Sequence, residues 1–156
     1  MLTKLEHLEN LAYKRDIHIH NFTFSKTKKA ACYHELDGVS EYKAILLDKP
    51  NIQNDIEKIL LFAEEIGHFE THSLYLIEAT ANSPIARSNR LKHEAKAKRW
   101  AIKYLIPKNE IQRAFDNHCK TDCEVAEYCD VDLDTLYKAI EIYQQENVKF
   151  DFPLEA

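Results

Sequence analysis

"FAEEIGHFETH", residues 62–72, is the stretch on which the reading of this chain turns. It is entered through an apolar run, Ile59 to Ala63, yet it carries Glu64, Glu65, His68 and His72 close together. A buried carboxylate is costly unless it meets a cation, a metal or a set of hydrogen-bond donors. The segment therefore either turns its polar groups to water or holds something. On a helix, Glu64 and His68 lie one turn apart on one face, with Glu65 about 100° round, beside the pair. Ile59, Phe62, Ile66 and Phe69 cover the opposite side, so the helix is apolar nearly all round and is expected at the centre of the fold. Gly67 costs about 1 kcal/mol relative to Ala in a helix interior, and its use would be to let another element come very close. The spacing is that of H-E-x-x-H, two metal ligands with a general base between them, with Glu64 in the place of the first His. Carboxylate is itself a zinc ligand.

A second helix answers the first. In "HEAKAKRWAIKYL", residues 93–105, Ala97, Ala101 and Leu105 fall within about 60° of Glu94 when the chain is stepped at about 100° per residue. Lys92, Lys96, Arg99 and Lys103 gather on the far, solvated side. Glu94 thus sits on a small-residue stripe that faces the core, where the two alanines permit the close approach that Gly67 implies. It is expected to be the third ligand; the competing reading pairs it with Arg90 or Lys98. His72 could replace it only if one straight helix supplied ligands spread over about 12 Å of rise, so His72 is expected at the rim. His18, His20 and His34 lie in strand-like segments without paired ligand spacing and read as surface or half-buried histidines.

Composition limits the alternatives. A chain of 156 residues, 45% hydrophobic and 30% charged, is an ordinary globular domain able to bury a real core. A formal net charge of −5 argues against generic nucleic-acid binding. No apolar run approaches the ~20 residues needed to span a bilayer. The N-terminal "MLTKLEHLENLAYKRD" is amphipathic and charged, without a signal-peptide core, so the cytoplasm is the expected compartment. Cys32, Cys119, Cys123 and Cys129 fit free thiols in a reducing compartment. The Cys119-x3-Cys123-x5-Cys129 cluster beside His118 does not have a standard zinc spacing, and it reads as packing.

The order of elements is helix, small sheet, then helices, which is α+β. Residues 2–14 form a helix on the stripe Leu2, Leu5, Leu8, Leu11 and Ala12. "DIHIHNFTF", residues 16–24, alternates like a strand with Ile17, Ile19 and Phe22 or Phe24 inward. "KKAACYHELDGVSEYKAILLD", residues 28–48, reads as two strands turned at Asp37-Gly38. A helix over about 54–72 follows, then a loop at Asn82-Ser83-Pro84, a helix from about 88 to 105 stopping before Pro107, and a short helix at 109–117. Helices at 122–129 and 133–146 close the domain, residues 1–147, and 148–156 is a tail. Thr121 and Glu124 make a capping box for the first of this pair. Between Thr121 and Asn147 the acidic residues Asp122, Glu124, Glu127, Asp130, Asp132, Asp134, Glu141 and Glu146 face a single Lys138. Phosphate would be repelled, so the pair reads as a packing or protein-binding hairpin rather than a DNA reader.

"LLFAEEIGHF", residues 60–69, followed by "HEAKAKRWAIKYLIP", residues 93–107, resembles the ImmA/IrrE metallopeptidases. Their pattern is an H-E-L-G-H helix and then E-x-x-A-x-x-F-A-x-x-L-L-x-P. Glu65, Gly67 and His68 match the first motif, with Glu64 where the first His stands. Glu94, Ala97, Trp100, Ala101, Leu105 and Pro107 match the second, with Trp for Phe. The E-E-x-G-H form is similar to that of phages and mobile elements, and the resemblance covers about residues 15–146. It implies a zincin-like single domain with a small N-terminal sheet, a central active-site helix and a C-terminal helix-turn-helix-like hairpin over about 121–147. It further implies that Glu64, His68 and Glu94 hold a divalent metal, zinc or the harder manganese, with Glu65 as general base. The implied substrate is a protein, a transcriptional repressor of a phage or mobile element, whose cleavage relieves repression; neither membrane nor direct nucleic-acid binding is expected. The alternative left open by Glu64 is a catalytically weak or inactive relative, metal-free or holding a structural metal, that acts as a protein-binding antirepressor or regulatory interaction module.

Overall fold

A three-stranded sheet organises the first half of the chain in the computed structural model, which describes residues 2–25, 27–73 and 83–150. Strands β1 (Ile17–Asn21), β2 (Ala30–Leu36) and β3 (Glu41–Leu47) lie in the order β1-β3-β2. The expected hairpin is present: β2 and β3 pair antiparallel from Ala30↔Leu47 to Leu36↔Glu41. Its turn uses Gly38 at φ 84°, and the Asp37 carboxylate accepts from the Val39 and Ser40 amides at 3.0 and 2.7 Å. β1 joins the other side of β3 in parallel, from Ile17↔Lys43 to Asn21↔Leu47. Both β1 and β2 are therefore edge strands.

Helix α1 (Lys4–Lys14) is capped by the Thr3–Glu6 box and buries Leu8 and Ala12, while Leu2 stays outside the helix and half exposed. Helix α2 (Asp55–Glu70) starts at Asn54, whose side chain accepts from the Glu57 amide at 2.8 Å. It lies against α1, β2 and β3. Arg15, just past α1, grips Glu70 with two bonds of 2.6 and 3.1 Å. Because α2 covers β2 and β3, only Ile17 of β1 reaches the core. Ile19 is 38% and Phe22 48% exposed, so the inward alternation expected for this strand ends after its first residue. Phe24 alone is half-buried, edge-on to Phe22.

Helix α3 (Pro84–Leu105) starts one turn earlier than the sequence suggests. Ser83 accepts the Ala86 amide at 3.1 Å, and Pro84 occupies the first helical position, where its missing N–H is not needed. What reads as a loop signal is thus a helix cap; Asn82 lies outside the described residues. Ala97 and Ala101 are buried, as the stripe through Glu94 requires.

The chain divides into two compact units, residues 1–101 and 102–156. In the second, α4 (Lys108–Asp116), α5 (Asp122–Tyr128) and α6 (Leu133–Gln145) surround Ile106, Ile111, Val125, Cys129, Leu136 and Tyr143. The Thr121–Glu124 capping box forms as expected. Tyr143 donates its buried hydroxyl to the Ile106 carbonyl at 2.8 Å. Lys103 does not stand free on a solvated basic face: its ammonium meets both Glu146 oxygens at 2.9 Å. All four cysteines are free thiols; Cys129 packs in the core, whereas Cys123 is exposed. Among the described residues, no helix is long and apolar enough to cross a membrane.

Candidate metal centre

The site begins with a close contact between two helices. A Cβ placed on Gly67 would lie 2.6 Å from the Ala97 carbonyl oxygen and 3.2 Å from the Ala97 Cα. No residue but glycine allows the α2 and α3 backbones to come so near. That approach brings Glu64 and His68 of α2 to Glu94 of α3. Each offers one ligand atom, and these atoms lie within 4.8 Å of one another, the one such group of metal-ligand type among the described residues. His68 Nε2 stands 3.8 Å from Glu94 Oε2.

The last turn of α2 orients the imidazole. His72 adopts φ 51°, which lets the Ser73 amide donate back to the His68 carbonyl at 3.0 Å and the His72 amide to Phe69 at 3.2 Å. This is a Schellman end, with His72 in the position usually given to glycine. It places the Ser73 carbonyl 3.0 Å from His68 Nδ1. A carbonyl can only accept, so Nδ1 carries the proton and the Nε2 lone pair faces Glu94. Thr71 and Ser73 brace the same turn: Thr71 Oγ1 donates to the Gly67 carbonyl at 2.8 Å and lies 2.6 Å from Ser73 Oγ. Metal-binding histidines are held by the same kind of hydrogen bond at the second nitrogen. His72 itself is exposed and stands outside the ligand cluster.

Electrostatics point the same way. Burial lowers the pKa of His68, which favours the neutral imidazole that a ligand must be. Burial raises Glu64, with its hydrogen bond to Glu94 adding to the rise and Lys98 opposing it. Lys98 thus serves Glu64, at 3.7 Å, rather than Glu94 as the competing reading of the sequence had it. Glu65, 8% exposed, is pushed up to about 7, chiefly by burial, with Glu64 and Glu94 contributing and Lys28 opposing. Three carboxylates and one neutral imidazole in so small a space form an arrangement that a divalent cation relieves. Two oxygens and one nitrogen on converging helices could hold a metal ion.

The four residues Glu64, Glu65, His68 and Glu94 share a cavity of about 380 Å³, whose other walls include Lys28 and Cys32. The Cys32 thiol hydrogen-bonds Glu65, and burial pushes it up to about 12, so it is a neutral donor. Sequence reasoning missed both of these residues. The signal for Cys32 was present: it alternates with the buried Ala30 on the inward face of β2. Lys28, in the exposed approach to β2, leaves no such trace. The histidines His18 and His20 are exposed, and His34 pairs with Glu41 at 2.8 Å, in keeping with their expected surface roles. Comparison of the chain with protein-family models, curated proteins and solved structures returned no match.

Proposed function

We propose that this chain is a metal-dependent endopeptidase of zincin-like design, ImmA-like in its helix pair, that cleaves a transcriptional repressor and so relieves repression. The observation that carries the reading is Glu65. A nearly buried carboxylate with a pKa of about 7 shares one cavity with a three-residue ligand set, and a pure binding surface has no use for it. Glu64, His68 and Glu94 would hold the ion. When bound, a divalent ion supplies Lewis acidity, polarising a carbonyl and making water a better nucleophile at neutral pH. Glu65 takes a proton from the attacking water and passes it to the leaving amine. The Cys32 thiol donates to Glu65 and holds its carboxylate in place. The repressor as substrate rests on the resemblance of the two helix motifs.

The test separates the ion, the base and the partner. Protein purified without chelator should carry about one zinc or manganese per chain, and Glu94→Ala should lose most of it. Glu65→Gln should keep both metal and fold while losing cleavage of a co-expressed repressor. An antirepressor acting by binding is the second reading. It is favoured by the way Lys98 and the Glu64–Glu94 hydrogen bond satisfy the ligand carboxylates internally. Relief of repression by Glu65→Gln equal to that of the parent would establish it instead.

A further inference from the structure

The ligand set has an electrostatic shortfall. Two carboxylates, Glu64 and Glu94, cancel the charge of a divalent ion, where two histidines and one carboxylate would leave a net positive centre. A carbonyl oxygen that gains negative charge there needs a positive group from elsewhere. Glu65, which takes the water's proton as that charge develops, supplies no positive charge there either. Among the described residues, the cations near the site are Lys28, Lys29 and Lys98. Lys29 is committed to Glu57 at 2.6 Å, and Lys98 to Glu64 at 3.7 Å. Lys28 has no ion pair or hydrogen bond among the described residues, yet it lines the cavity. Its charge reaches Glu65, His68 and Cys32 on two different walls. It stands just before β2, on the strand side of the cavity, whereas Lys98 belongs to α3.

We propose that the Lys28 ammonium is the oxyanion-binding group of this cavity, a further catalytic residue that supplies the positive charge the ligand set does not. The assignment rests on the metallopeptidase reading above. It predicts that the metal-loaded protein binds small oxyanions through Lys28, whatever the protein substrate is. The probe is inorganic phosphate, titrated calorimetrically into zinc-loaded, desalted protein. Lys28→Met should weaken phosphate binding by at least about tenfold, the value of one charged hydrogen bond, while Lys28→Arg and Lys29→Met stay within about threefold of the parent. Zinc content should be unchanged in all three variants, and melting temperature in the two Lys28 variants, because the exposed Lys28 supports neither the ligands nor the core. Phosphate binding by Lys28→Met as tight as the parent's overturns the assignment, as does a fully zinc-loaded parent that binds no phosphate. A parent that takes up no zinc, read by elemental analysis before phosphate is added, instead refutes the metallopeptidase reading and the assignment with it.

Discussion

Glu65 is the residue at which burial and chemistry oppose each other. In the metal-free folded chain it holds its proton up to about pH 7, while the unfolded chain releases it in the ordinary carboxylate range. The folded state therefore binds more protons between those two points, and stability falls as pH rises through that window. The contribution is fully present below about pH 4 and is lost above about pH 7. Glu64, also raised, adds to this slope, whereas His68, lowered, opposes it as pH climbs toward its own ordinary value. Comparing the parent with Glu65→Gln isolates one term. In chelator, the variant should show a flatter pH profile and gain up to about 3 kcal/mol over the parent near pH 8 relative to pH 4. Urea melts across that range measure it, and parallel profiles for the two proteins would contradict the assigned burial cost.

At the scale of elements, the distance between α2 and α3 sets the ligand geometry. Gly67→Ala puts a methyl group 2.6 Å from a backbone oxygen that belongs to a helix and cannot swing aside. Loss of about 1–3 kcal/mol is expected from such overpacking. Zinc affinity should fall with it, because separating the helices separates His68 from Glu94. Thermal melts and zinc titration read the two effects, and a variant with parental zinc affinity would mean that the close approach does not set the site. Helix ends offer a contrasting test. With only two glycines in the chain, five helices pass into positive φ at Asp16, His72, His118, Asp130 and Asn147. Each of these side chains carries strain that glycine lacks. His72→Gly should stabilise the protein by up to about 1 kcal/mol and leave zinc affinity unchanged. A sharp loss of zinc in that variant would make His72 a ligand.

At the scale of the whole molecule, charge decides which partners are open to it. The net charge is −5, and α5 and α6 carry most of the acidic residues between 121 and 147. Phosphate contacts and counterion release supply most of the affinity for duplex DNA, and this surface cannot gather them. The isolated protein should show no appreciable binding to duplex DNA at physiological salt, including operator DNA. Fluorescence anisotropy without repressor checks this. Sub-micromolar, salt-sensitive binding would make the basic residues of α3, not a protein partner, the functional surface.

The helices, the hairpin at Asp37-Gly38 and the Thr121–Glu124 capping box were legible in the sequence because each rests on neighbours a few residues apart. The same holds for the stripe that aligns Glu94 with Ala97 and for the reading of Gly67 as a point of close approach: helical periodicity states which residues share a face. Periodicity and motif spacing are therefore enough to set Glu64 with His68 on one face of a helix and Glu94 on the core-facing stripe of another. Other features rest on which distant segment comes to lie alongside, and periodicity carries no such information. The parallel pairing of β1 with β3, the exposure of Ile19, the bond of Lys103 to Glu146 and that of Lys98 to Glu64 are all of this kind. So is the nature of the cavity itself. Only the packing of β2 and its preceding loop against α2 puts the Cys32 thiol on Glu65 and the Lys28 charge beside the ligand set, because desolvation and Coulomb attraction act through space and take no account of separation along the chain.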